Sequence, residues 1–135
     1  MRSDGATRFV ADTHVLYWYL LRSRELSAAS RTALRLVEAG LAELWIPAIA
    51  VAELDYLCRK YRVPGLAGPL LEQAQASGNY RIVPLGTETL RIFLGLEAPP
   101  EMHDRLIAAE ALRLGAPVIT RDRALREAGV VETIW

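Results

Sequence analysis

The chain has 135 residues, 52% of them hydrophobic, and a formal net charge of +0 from 16 basic and 16 acidic side chains. That length and apolar share specify one domain with a real core. Zero net charge excludes a general nucleic-acid coat held by an overall positive field, though not an enzyme that reaches a phosphodiester through bound cations and a few arginines.

The opening residues lack the apolar core of a signal peptide, and residues 1–7 read as a flexible leader. Residues 8–11 (Arg-Phe-Val-Ala) read as a short buried strand stopped by Asp12, followed by a helix over 13–21 rich in Leu, Tyr and Trp. Residues 17–21 are contiguously apolar or aromatic, so one helix face cannot hide them all and some exposure is expected. Ser27 is the N-cap of a second helix running to Val37, with Gly40 as its stop. A strand over 43–46 follows, and Pro47 fits the first turn of a helix to about Tyr61. The apolar run 44–52 that includes Pro47 is far short of a bilayer span, so a cytoplasmic protein without a membrane anchor is expected. The single cysteine, Cys58, suits a reducing compartment and a packing role.

Pro64 and Gly65 break the chain before a helix over 66–76. A strand over 81–84, a helix over 87–95 and a loop through Pro99 and Pro100 come next. A helix over 104–114 ends at Gly115, residues 117–120 form a strand, 123–127 a helical turn, and 131–134 a final edge strand. Strands alternating with helices over the whole length predict a single α/β domain, residues 1–135. Its sheet should be parallel, with four to five strands and helices on both faces.

In such a sheet ligands bind beyond the carboxyl ends of the strands. Asp12 and Asp122 each follow a strand. Asp104 opens the helix that runs back to the strand before Asp122, so its start belongs at the same edge. Each of the three also precedes a helix, where aspartate is a preferred cap. Glu53 cannot be a cap. The spacing of Ile49, Ala52, Glu53, Tyr56 and Leu57 puts it on a face expected to be buried, where an unpaired charge is costly. A salt bridge to an arginine is the structural alternative.

Four converging acids repel one another unless a cation or shared protons intervene. Carboxylates without thiols suit Mg²⁺ or Mn²⁺ rather than zinc. The chemistry favoured by such a site is phosphodiester hydrolysis by a metal-activated water. Thr120 ends its strand beside the acids, where its hydroxyl could orient Asp122 or a bound water. His14 and His103 suggest a metal-free acid–base pair, but that scheme leaves the carboxylates without a role. His14 is expected to be packed or hydrogen-bonded in the first helix, and His103 to be a loop residue before a cap. Arg105, Arg121, Arg123 and Arg126 are candidates for phosphate contacts, with solvated helix ends as the alternative.

The segments Phe9-Val-Ala-Asp-Thr-His-Val-Leu-Tyr-Trp, Ile49-Ala-Val-Ala-Glu-Leu, His103-Asp-Arg-Leu-Ile-Ala-Ala and Val118-Ile-Thr-Arg-Asp-Arg-Ala-Leu resemble the successive motifs of PIN-domain nucleases, most closely the VapC-type toxins of type II toxin–antitoxin systems. The resemblance implies an endoribonuclease dependent on Mg²⁺ or Mn²⁺, with Asp12, Glu53, Asp104 and Asp122 as catalytic and metal-binding acids and Thr120 as a supporting hydroxyl. It also implies a homodimer, a small antitoxin partner and transfer, ribosomal or messenger RNA as substrate. One departure is that Pro47 and Ala50 stand where the family often has hydroxyl residues. The rival readings are a receiver-like phospho-signalling domain, which needs a lysine after a late strand whereas the lone Lys60 lies in the Glu53 helix, and a PIN-like binding module without activity.

Overall fold

A computed structural model describes residues 7–135, and the expected leader lies outside the described residues except for Thr7, which opens the first strand. The elements follow the alternation read from the sequence. They are β1 (Thr7–Ala11), α1 (Thr13–Leu20), α2 (Ala28–Glu38), β2 (Ala42–Pro47), α3 (Ala48–Lys60), α4 (Ala67–Ala76), β3 (Tyr80–Val83), α5 (Thr87–Gly95), α6 (Met102–Leu114), β4 (Val118–Ile119), α7 (Arg123–Ala128) and β5 (Thr133–Ile134). Most boundaries shift by one or two residues, and two of the differences bear on the site. Pro47 closes β2 and caps α3 instead of entering its first turn. Glu101, not Asp104, caps α6.

The strands form one sheet in the order β3-β2-β1-β4-β5, with every pairing parallel. This order argues against the receiver reading, because receiver-type sheets run 2-1-3-4-5. Chain progression reverses between β1 and β4, which makes their carboxyl ends the topological switch point where α/β sheets bind ligands.

Alternation along β1 serves both faces of the sheet. Phe9 and Ala11 join a core with Leu16, Leu34, Leu44, Ile46 and Leu54, whereas Val10 joins a smaller core with Ile107, Ala111 and Val118. The stripe that anchors α3 is Ala50, Leu54, Leu57 and Cys58. Full burial of one leucine there contributes about 1.5–3 kcal/mol. The stripe expected from sequence is out of phase, since Ala52 is exposed and Tyr56 is 63% exposed. Cys58 is buried in the larger core, as expected of a packing residue. The aromatic run of α1 mostly packs as well. Tyr17, Trp18, Tyr19 and Leu20 lean half-buried on the larger core, and Leu21 is exposed.

Gly115 ends α6 at φ +65°, a left-handed conformation that an L side chain would resist. The turn lets the chain drop into β4, so the start of α6 stands at the carboxyl edge of the sheet. No helix among the described residues is long and apolar enough to cross a membrane.

Candidate active site

Register places Ala11 beside Ile119, so the residues that follow, Asp12 and Thr120, emerge together at the switch point. Asp12 is only 5% exposed. One of its oxygens accepts the Thr13 N–H at 2.7 Å, and the other accepts the Thr120 hydroxyl at 2.7 Å. The fully buried Thr120 hydroxyl also accepts the Asp122 N–H at 2.9 Å. With its proton committed to Asp12, Thr120 ties the Asp12 carboxylate to the Asp122 backbone. The contact expected between Thr120 and Asp122 is thus made through the Asp122 backbone, not its carboxylate. That carboxylate caps α7 by accepting the Leu125 N–H at 2.9 Å. Burial pushes the Asp12 carboxyl above its ordinary value, while the donors from Thr120 and Thr13 pull the other way.

Glu53 is not on the buried stripe of α3. It stands on the flank, with 29% side-chain exposure and no arginine partner among the described residues. Its Oε1 accepts the Thr13 hydroxyl at 2.7 Å, and its Oε2 lies 3.6 Å from His103 Nδ1. The hydroxyl support absent from the start of α3 thus arrives from α1, from a residue 40 positions away.

Asp104 lies in the first turn of α6, where the helix dipole favours negative charge. Glu101 does the capping: its Oε1 accepts the Asp104 N–H at 2.9 Å and its Oε2 lies 2.7 Å from His103 Nδ1. Burial alone would raise the Glu101 carboxyl, but those donors outweigh it and hold it below its ordinary value. His103 therefore belongs to the first helical turn, not to a loop. The Glu101 hydrogen bond, opposed by burial and helped by the charge of Glu53, raises its pKa. The Asp104 carboxylate receives no hydrogen bond from the described residues. Burial, followed by the charges of Asp122, Asp12, Glu101 and Glu53, pushes it up to about 7.

All four expected acids, together with Glu101, line one cleft of 290 Å³. Thr13, His14 and Lys60 share its wall. Sequence reasoning missed Glu101 and Thr13: glutamate is not a preferred cap, and the partner of Thr13 is distant in the chain. His14 is exposed instead of packed, its ring 5.6 Å from that of Trp18. Of the candidate arginines, Arg121 pairs with Glu25, Arg123 pairs with Glu127, and Arg105 lies over the Phe93 ring. A larger cleft of 590 Å³ lies beside Tyr19, Arg22, Arg24 and Arg31, with Glu38 as its one acid, so size alone does not select the site.

The donors are carboxylates with no thiol, and the Asp104 carboxylate is half-buried among like charges. That set suits a hard divalent cation, which commonly retains several waters. Among the described residues no three His, Cys, Asp or Glu side chains already close around one point at ligand spacing. The acids share the walls of one cleft at the carboxyl edge of the sheet.

Comparison with known proteins identifies the family and the fold. The PIN domain family model matches residues 9–131. The chain is 32% identical over 123 residues to Ribonuclease VapC22 of Mycobacterium tuberculosis, an alignment covering 89% of this chain and 91% of the relative. Its fold is similar to that of FitAcB from Neisseria gonorrhoeae, with TM-score 0.67, 22% identity, and 93% and 95% of the two chains covered. It is also similar to VapBC2 from Rickettsia felis, solved bound to a promoter DNA fragment, with TM-score 0.66, 16% identity, and 94% and 97% covered. A third similar fold is VapC20 of Mycobacterium tuberculosis, a toxin that cleaves the sarcin–ricin loop, with TM-score 0.61, 16% identity, and 92% and 97% covered.

Proposed function

The chain belongs to the PIN-domain family, and on that footing we propose that it is an endoribonuclease, the toxin of a type II toxin–antitoxin pair, hydrolysing RNA phosphodiester bonds with Mg²⁺ or Mn²⁺. The ribonuclease relative supports the reaction class. The observation that carries the site assignment is the Asp104 carboxylate, without a donor among the described residues, half-buried and pushed up to about 7 among four other acids. A group left in that state is expensive unless a cation is meant to join it.

In this reading Asp12, Glu53, Asp104 and Asp122 hold the cation and are the catalytic acids. A cation bound there would supply positive charge to the scissile phosphate and lower the pKa of the attacking water. The chain's own residues set the geometry. Thr120 fixes Asp12 through its hydroxyl, Thr13 fixes Glu53, and Glu101 holds the first turn of α6 that carries Asp104. Each fixed carboxylate oxygen keeps a further lone pair for the cleft. Fixing carboxylates in advance removes reorganisation from the reaction barrier.

The partner in this reading is a small antitoxin protein, supported by the VapBC complex among the similar folds, and the chain forms a homodimer. On α5, Leu90 and the 79%-exposed Leu94 offer apolar surface for one of these contacts. The test is cleavage of total RNA by the purified chain with Mg²⁺, with excess chelator, and in Asp12→Asn and Asp104→Asn variants. Sequencing RNA ends after brief induced expression identifies the target. Cleavage that survives chelator or either substitution undiminished would refute the reading.

A further inference from the structure

Next to the acidic cleft lies a shallower pocket of 300 Å³, lined by Asp12, His14, Trp18, Arg121 and Asp122. We propose that it receives one unpaired base of a single-stranded RNA, stacked against the Trp18 indole, while the attached phosphate reaches the acids. This subsite rests on the RNA-cleaving reading and adds the requirement for an unstacked base beside the scissile bond.

Four observations carry it. Asp12 and Asp122 line both the cleft and this pocket, so a group seated in one is adjacent to the other. His14 and Trp18 sit one helical turn apart on α1, with ring centroids 5.6 Å apart and planes tilted by 47°. The indole is held in place, since Trp18 packs against the larger core and lies 6.0 Å from the Trp135 ring. Finally, the Arg121 guanidinium lies 5.5 Å from the centre of the Trp18 ring and is pinned there by Glu25 at 2.7 Å.

A half-buried, braced aromatic loses little freedom when a flat ring lands on it, so stacking is gained at low entropic cost. The walls also select the occupant. Two carboxylates against one already paired guanidinium disfavour a free phosphate. An uncharged π-face is favoured, and every base presents one. Bases held in a duplex cannot enter, which directs the site to loops and single strands. The volume lies at the lower end of the about 300–1,000 Å³ typical of small-molecule pockets.

The test uses the full chain carrying Asp104→Asn, so that bound RNA stays intact, and a short single-stranded RNA with 2-aminopurine replacing each base in turn. One position should lose fluorescence on binding, and an abasic nucleotide there should weaken binding about tenfold. Trp18→Ala should abolish that quenching, weaken binding by a similar factor and remove the abasic penalty. Trp18→Phe should retain most of the binding. Should Trp18→Ala fail to fold, the exposed His14→Ala variant, expected to weaken binding a few-fold, and the abasic scan decide the matter. Quenching at no position, or an equal abasic penalty at all positions, would overturn the subsite. Wild-type cleavage in Mg²⁺ is read separately. RNA that stacks but is never cut would sink the nuclease reading alone, and RNA cut without position-specific stacking would sink the subsite alone.

Discussion

Helix α6 carries two acids in opposite circumstances. Glu110 is 1% exposed and well partnered through one oxygen: its Oε2 accepts from the Thr89 hydroxyl at 3.0 Å and from Arg113 at 2.6 and 2.7 Å. Asp104, two turns earlier, is half-buried, without a donor, and faces other carboxylates. The fold can neutralise a buried acid where it needs to, and at Asp104 it does not. A charge left uncompensated beside a well-compensated one marks where a ligand is expected.

Substitutions at the two ends of the helix should therefore behave in opposite ways. The largest effect is expected for Asp104→Asn or Asp12→Asn, a loss of RNA cleavage of about a thousandfold, or roughly 4 kcal/mol of barrier, with an unchanged circular dichroism spectrum. Glu110→Ala strands Arg113 and should cost about 3 kcal/mol in denaturant unfolding, with cleavage per folded molecule retained. Reversal of that pattern, with Glu110 essential for activity and Asp104 for stability, would break the comparison. Thr120→Val removes the hydroxyl between Asp12 and Asp122. It should slow cleavage about 10–100-fold, as expected for a group that orients a metal ligand.

The smallest effect is on stability, and it has a definite sign. In the fold Asp104 keeps its proton up to about pH 7, against an ordinary value of 3.8. Between those values the folded chain binds the extra proton, so this group's contribution is intact below the unfolded value and is lost as pH rises through 7. Asp104→Asn should thus stabilise the chelator-treated protein at pH 8. Discounted for half exposure, the gain is on the order of 1–2 kcal/mol. It should fade toward pH 4. A thermal-shift series across pH checks it, and an equal or lower midpoint for the variant at pH 8 would contradict the assignment of Asp104 as the uncompensated acid.

Much of this is legible in the sequence. Asp12 and Asp122 announce themselves by following strands, and Asp104 by opening a helix whose exit strand fixes its direction. Glu53 was selected for the wrong reason. Ala52 and Tyr56 suggested one helical phase, whereas Ala50, Leu54 and Cys58 anchor another, and Glu53 lies on the flank between core and cleft. Thr13 and Glu101 were not legible. Their roles depend on contacts between α1, α3 and α6, and local spacing does not encode which helices meet. The edge strand β5 was foreseen, but its parallel pairing with β4 follows from the crossover through α7, not from its own residues.

The central claim is that Asp104, without a donor among the described residues, and the acids around it hold a divalent cation. Titration of Mn²⁺ into the wild-type chain and its Asp104→Asn variant at pH 8, followed by electron paramagnetic resonance, tests it most directly. The account predicts saturable binding to the wild type and its loss in the variant. Equal binding to both, or none to either, would contradict it.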